Sequence, residues 1–481
     1  MSEFGIDERY VFDDVPGLIE LVTKRLTIDV GDVFTKISKE PEQLQGAHNV
    51  GFYQTNEKDQ TCKKWSHMPD SYNEEWATQL IAYLNTVTDN VRKIVNGEDW
   101  EAGKNDVIFV AHPSLDAAQV TALPDFVLAL RETAESNELQ WGDIYCVGLL
   151  DRNHQFDEAI GILGEQAGKC LYRSGIRTFV IGLFFYRTQF ILCVFDRSGT
   201  LVSNFYDVHK EPEKFLRGVV CLPLMPFTDL GLDPTAYRKG EDLHFRVVGQ
   251  EYKVLGKLFA SRPPNGKGTM CYEVEGPDGK VYAARDCWTT EESTMRESQF
   301  LDLIKDVKNV PRIVAQEIVK VESKVHEPFL DKTSRLRSSI IESHTHKATR
   351  CSRFGLWRPN LRDHLRTIYW PCGQRFTDFK SLAELISASI DVFESRSLSL
   401  VMMGTFIKHF LLKAVETLND RGMLHSDISV NNIILVQMEG SPYRKGFLID
   451  FETAEQSKSE LFTSTGFVSF CFPPFYALSL I

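Results

Sequence analysis

The sequence predicts an α+β chain in which an N-terminal α/β domain precedes a bilobal domain with an incomplete second lobe. Three patterns lead there. Residues 143–206 alternate apolar, strand-like runs with one helical stretch; a meander of short strands begins at His244; and helical periodicity dominates after residue 378, with only residues 451–481 beyond the last apolar strand.

Composition sets the frame for these patterns. A chain of 481 residues, 43% hydrophobic and 25% charged, has the apolar content of a folded protein, which excludes disordered, collagen-like and mucin-like classes. The length is enough for two or three domains with cores of their own. A net charge of -12 argues against general attraction to nucleic acid or anionic membrane, so neither is expected as a partner. The acidic start MSEFGIDERY lacks a secretory pattern, and ten cysteines without a C-x-x-C pair suit a reducing compartment. An intracellular, cytoplasmic or nuclear location is the expectation. The apolar tail 466–481 is broken by Pro473 and Pro474, which argues against a membrane anchor.

In order along the chain, Trp76, Leu80, Leu84, Val87, Val91 and Ile94 recur at three- and four-residue steps and predict a helix over 73–95. Residues 1–140 are therefore expected to be mainly helical. An α/β domain follows over 141–235, with strands at 143–150, 177–185, 189–195 and 201–206 and a helix at 157–172. Turn residues at 229–234 mark a boundary. Strands at 253–261, 269–275 and 281–287 form the meander of a first lobe over 244–377, with a helix from Glu291 and a charged insertion at 312–353. The second lobe, 378–481, opens with helices at 382–393 and around Phe406, Phe410, Ala414 and Leu418.

The most informative stretch is Leu424-His425-Ser426-Asp427-Ile428-Ser429-Val430-Asn431-Asn432, followed by an apolar strand and then Phe447-Leu448-Ile449-Asp450-Phe451. Phosphoryl transfer needs a carboxylate to orient the attacking hydroxyl and accept its proton, and oxygen ligands for magnesium on the phosphates. Asp427 suits the first role; Asn432 and Asp450 suit the second. Each alone reads equally well as a turn residue, but their joint context between two apolar strands points to a protein-kinase-like domain. Upstream, Gly266-Lys267-Gly268-Thr269 lies between strands, where glycine amides can approach phosphate oxygens; an ordinary hairpin turn would look the same. Val281-Tyr282-Ala283-Ala284-Arg285 occupies the place of V-A-I-K, with Arg285 as the phosphate cation. Glu297 is the expected ion-pair partner, with Glu291 and Glu292 as competitors and a solvated helix face as the plainer alternative.

Taken together, these segments resemble the fungal-type protein kinase family. The likeness rests on 177–182, the turn Phe195-Asp196-Arg197-Ser198-Gly199, Gly231-Leu232-Asp233-Pro234, the Gly266 to Thr269 turn, Ala284-Arg285-Asp286-Cys287-Trp288, Pro371-Cys372-Gly373 leading to Phe379-Lys380-Ser381, and the Asp427 loop through Asn432. It spans 141–466 and implies a kinase-like domain behind a family-specific α/β region, using ATP and Mg2+ to phosphorylate protein hydroxyls, of Ser or Thr before Tyr. Relatives carry Glu-x-Lys where this chain has Leu149 and Asp151, so no nuclease activity is carried over.

Three departures bear on activity. Ser426 replaces the Arg of His-Arg-Asp, which argues against control by a phosphorylated loop; Glu452 stands where Gly is common; and Arg285 replaces Lys. Because little chain follows Asp450, the second lobe is expected to lack its buttressing helices and activity to be weak or absent. A degenerate nucleotide-binding or interaction module is thus the competing reading, with a small-molecule phosphotransferase of the aminoglycoside-kinase type as a third. A metal set of His344, His346 and Cys351 lacks a fourth ligand, and the basic run from Lys347 to Arg366 reads as solvated surface.

Overall fold

The longest apolar runs of the sequence become the two central strands of a sheet with both faces buried. In the computed structural model, the described residues are 11–38, 53–56, 59–69, 73, 75–118, 120–136, 138–150, 156–261, 266–321, 328–337, 360–393, 423–424, 430–451 and 455–456. They fall into two units: Met1–Ala236 with Ala260–Gly268 and Lys320–His364, and Tyr237–Phe259 with Thr269–Val319 and Leu365–Ile481. No helix among the described residues is long and apolar enough to cross a membrane.

The first unit is built on strands β1 (Val11–Val15), β2 (Val107–Ala111), β3 (Phe126–Leu130), β4 (Cys146–Leu150), β5 (Phe179–Tyr186), β6 (Gln189–Asp196), β7 (Gly199–Ser203) and β8 (Tyr206–Asp207). Their order is β1-β7-β6-β5-β4-β3-β2, with β8 paired to β6. The β1–β7 and β4–β5 pairs are parallel and the others antiparallel. Side chains alternate between two cores, as a period of two requires. Ile181, Leu183, Phe185, Phe190 and Leu192 join one core with Leu80, Leu84, Val87 and Val91 of helix α1 (Trp76–Asn96). Val180, Phe184, Ile191 and Cys193 join the other with Ile160, Leu163, Ala167 and Leu171 of helix α2 (Phe156–Ser174). With both faces covered, the strands lose the apolar and polar alternation of a half-exposed sheet and read as continuous apolar runs.

This sheet corrects the boundary expected at residue 140. Strands β1, β2 and β3 come from the region read as mainly helical and pair in one sheet with strands from 146–207. Five-residue apolar runs such as 107–111 carry no period that separates strand from buried helix, so their partners decide. The Gly231-Leu232-Asp233 motif runs beside 176–179: Thr178 N–H donates to Gly231 O at 2.8 Å and Asp233 N–H to Ile176 O at 2.9 Å. Gly231 sits at φ 91°, and a Cβ there would fall 2.2 Å from Phe179 O, so only glycine fits.

In the second unit, strands β9 (Ala236–Lys239), β10 (Asp242–Val247), β11 (Gln250–Ala260), β12 (Met270–Glu275), β13 (Val281–Thr289), β14 (Arg312–Ile318) and β15 (Asp363–Trp370) form a sheet ordered β9-β10-β11-β12-β13-β15-β14. The expected meander is thus part of a larger sheet. Helix α3 (Glu291–Leu303) follows β13 with Thr290 as its cap, the hydroxyl accepting from Ser293 N–H. Helix α4 (Leu382–Phe393) starts and ends where the periodicity predicts. A second sheet holds the hairpin β16 (Ile433–Val436) and β17 (Lys445–Leu448), with the short strand Gln374–Arg375 on its edge. The charged insertion is split: β14 belongs to this unit, whereas Lys320–His364 packs with the first. The helix expected around Phe406 to Leu418 lies outside the described residues.

Candidate nucleotide site

Two of the three residues expected to carry the catalytic chemistry, Asn432 and Asp450, emerge from the same end of one hairpin. Ile433 faces Leu448 in the β16–β17 register, and the ladder runs one step further, with Ile449 N–H donating to Asn432 O at 2.8 Å. That bond fixes the backbone between Asn432 and Asp450. Asp450 has φ 63°, a left-handed conformation that Asp tolerates better than most residues, and it turns the chain so that Phe451 is fully buried. The Phe451 ring stacks on Phe300 of α3, centroids 5.7 Å apart, in a core with Leu301, Ile304, Ile433 and Leu448. The hairpin end is therefore tied to α3 by apolar packing. Asn432 is itself buried. Asp427, with His425 and Ser426, lies outside the described residues.

Arg285 and Glu297 form an ion pair between β13 and α3, with 15% and 4% of their side chains exposed. Glu292, one of the competitors, is exposed. Tyr369 of β15 completes the group: its hydroxyl donates to Glu297 Oε1 at 3.3 Å, and the Arg285 guanidinium lies 5.3 Å from its ring centroid. Arg285 Nε is buried with no hydrogen-bond acceptor among the described residues. Burial works against the Arg285 charge, but Tyr369 and Glu297 outweigh it and raise its pKa. Burial likewise pushes the Tyr369 hydroxyl well above its usual range. Cys271, directly across the ladder from Arg285, has its thiol pushed up to about 11 by burial, with Arg285 opposing and Asp450 adding. Asp450 and Arg285 thus act on the same thiol.

The glycine turn has a different setting. Gly266 and Gly268 adopt φ 103° and 50°, as a glycine turn would. The Gly266 N–H, however, donates to Arg197 O at 3.0 Å, and a Cβ on Gly268 would fall 2.3 Å from Arg197 Cζ. Gly266, Lys267 and Gly268 pack within the first unit, whereas Thr269, Arg285, Glu297, Asn432 and Asp450 belong to the second. In this arrangement the Gly266 N–H is engaged within the first unit.

Sequence reasoning missed Arg444. Its guanidinium is buried, with Nε on Glu384 Oε1 at 2.7 Å, Nη2 on Glu384 Oε2 at 2.9 Å and on Asp378 O at 2.7 Å, and Nη1 on Gln374 Oε1 at 2.5 Å. It holds together the start of α4, the segment after Pro371-Cys372-Gly373, and the hairpin leading to Asp450. Arg444 supplies the hydrogen bonds that, with the Lys380 amide, hold the Glu384 carboxyl at about 2. No motif surrounds Arg444, and its partners lie 60 to 70 positions away, so local pattern carries no signal for it.

A search of curated proteins returned no match. The family description that matches is "Fungal protein kinase", over residues 123–471, and it begins early enough to take in all of β3, ahead of the start at 141 suggested by the sequence likeness. With most of its length matched, from the α/β sheet through the Asp450 hairpin, the chain belongs to the fungal protein kinase family.

Proposed function

We propose that this protein transfers the terminal phosphoryl group of ATP to hydroxyl groups of proteins. The observation that carries the reading is the Arg285–Glu297 pair with its buried, unsatisfied Arg285 Nε, a donor suited to a phosphate oxygen. Glu297, itself held by Tyr369, restrains the guanidinium so that little rotamer entropy is lost on binding.

The donors also fit a metal. The amide oxygen of Asn432 and the carboxylate of Asp450 are hard oxygen ligands of the kind magnesium takes, and these residues would hold it. When bound, magnesium neutralises charge on the phosphates. Asp427, by its spacing from Asn432, would orient the acceptor hydroxyl and take its proton. Phe451, buried against Phe300, restricts the backbone at Asp450 and so limits the positions its carboxylate can take.

A second reading, nucleotide binding without turnover, is favoured by Arg285 standing where the lysine of an active strand is usual. Incubating the purified chain with ATP and Mg2+ separates the two. Phosphate incorporation into protein that Asp427→Asn and Asp450→Asn abolish supports transfer. A nucleotide-dependent thermal shift without turnover supports the binding module, and transfer only to small alcohols or aminoglycosides would point to a small-molecule phosphotransferase. Absence of any thermal shift with ATP would remove the nucleotide site altogether.

A further inference from the structure

Strand β17 lies at the edge of its sheet: β16 pairs with one side of it and, among the described residues, no strand pairs with the other. Amides of an antiparallel strand alternate in direction, so an edge strand leaves every second donor to be satisfied by other means. Here Asp391 Oδ2, in the last turn of α4, takes the Gly446 N–H at 3.3 Å, and Asn309 O takes the Leu448 N–H at 3.0 Å. The two acceptors are joined to each other, because Asn309 Nδ2 donates to Asp391 O at 2.7 Å. A helix end and a loop residue therefore stand where a neighbouring strand would.

Asn309 lies between α3 and β14 at φ 60°, a left-handed conformation that Asn adopts more readily than most residues. Val307 and Val310 on either side of it are buried in the core that holds Ile433, Leu448 and Phe451. In that conformation its carbonyl meets β17 while its amide meets α4, so the bond to Asp391 restrains the carbonyl that Leu448 uses. Asp450 follows two residues after Leu448, and Ile449 between them is tied to Asn432 on the inner side. We infer that the Asn309 side chain is a positioning group for Asp450: by bonding to Asp391 it fixes the outer edge of β17 and so the place where the strand delivers the carboxylate. The inference rests on the nucleotide reading above and adds a residue to it, one that acts through Leu448 and not by contact with the metal.

The test is titration of the full chain with a fluorescent ATP analogue, once with Mg2+ and once with EDTA, comparing the native sequence with Asn309→Gly. Glycine holds φ 60° without steric cost and keeps the carbonyl that meets Leu448, so what it removes is the bond to Asp391. Loss of that bond is expected to weaken binding with Mg2+ by about two- to tenfold, the range for one hydrogen bond, and to raise the Mg2+ concentration that gives half-maximal binding. Binding in EDTA is expected to stay unchanged, because the Arg285–Glu297 pair is untouched. Asn309→Asp also tolerates the left-handed backbone but has no donor for Asp391 O; it is expected to behave alike and decides the matter if the glycine variant does not fold. Unchanged Mg2+ dependence in a folded variant overturns the positioning role and leaves the nucleotide reading standing, as does an equal loss with and without Mg2+, which would mark general loosening. A native chain that binds no nucleotide overturns the reading itself, and the role of Asn309 with it.

Discussion

Replacing Glu297 by Gln removes one charge from a pair that the second unit buries almost completely. Breaking a buried ion pair by deleting one partner costs about 3–5 kcal/mol. Two features lower that figure here. Arg285 keeps 15% of its side chain in solvent, and the Gln oxygen can still accept from Arg285 or Tyr369. The expected loss is therefore about 2–3 kcal/mol, which for a unit of this size lowers its midpoint by roughly 4–12 °C. Differential scanning calorimetry can follow the second unit's transition. Tyr369→Phe is the control, because its single 3.3 Å hydrogen bond to Glu297 accounts for about 0.5–1 kcal/mol. A shift below 1 °C for Glu297→Gln, or equal losses for the two variants, would refute the view that charge pairing and not the hydroxyl bond holds α3 to β13. Combining Glu297→Gln with Arg285→Met should cost less than the sum of the separate losses, since neither residue then leaves an unpaired charge.

The remaining predictions concern the groups around this pair. Glu384, held at about 2 against an ordinary 4.5 chiefly by Arg444, contributes stability that is fully present above pH 4.5 and is lost as pH falls toward 2. Urea midpoints should accordingly show Glu384→Gln weaker than the native chain at pH 7 and equal to it near pH 2; a constant difference across that range would contradict the assignment. Gly231→Ala would drive a methyl to 2.2 Å from the Phe179 carbonyl at φ 91°, so the first unit's unfolding transition should drop by about 3 kcal/mol or more, and a near-native thermal scan would overturn the packing argument. Arg285→Lys restores the residue usual at that strand position but loses the planar group facing Tyr369, so ATP affinity should fall and not rise, measured by titration; tighter binding would show that the guanidinium is a tolerated replacement only.

What the sequence disclosed follows from where the chemistry is local. Helix α4 spans the predicted residues 382–393, and α2 extends the predicted 157–172 by one residue at the start and two at the end; in α2 a stripe buried against one core repeats within the segment itself. Strands β5 and β6 stood out as unbroken apolar runs for the same reason: both of their faces are covered. By contrast, β1 pairs with β7, nearly two hundred residues later, and nothing in VFDDV announces that. Arg337 looked like one more charge in a polar insertion. It is buried because Asp196, 141 positions earlier, is there to meet it. At the candidate site, the pairing of Arg285 with Glu297 was legible from the strand-to-helix spacing, whereas the second hold on Glu297 came from Tyr369 on a strand 72 positions away.

Motif membership and physical role come apart at three positions. Gly231 and Gly268 both belong to segments that carry the family likeness, yet each has a close neighbour in the first unit, a backbone carbonyl that requires glycine at 231 and the Arg197 guanidinium at 268, where a positive φ also favours glycine. Their replacement would therefore register first as a packing defect, whatever it did to a ligand. Arg285 is the reverse case. It departs from the lysine of the usual strand, but one of its nitrogens meets Glu297, its plane lies near the Tyr369 ring, and its Nε is left without an acceptor. A lysine ammonium has neither a planar face nor a second nitrogen to leave over. The surroundings of Arg285 are thus matched to a guanidinium, and the phosphate-binding reading is better supported by this departure than by the glycine turn that resembles the motif.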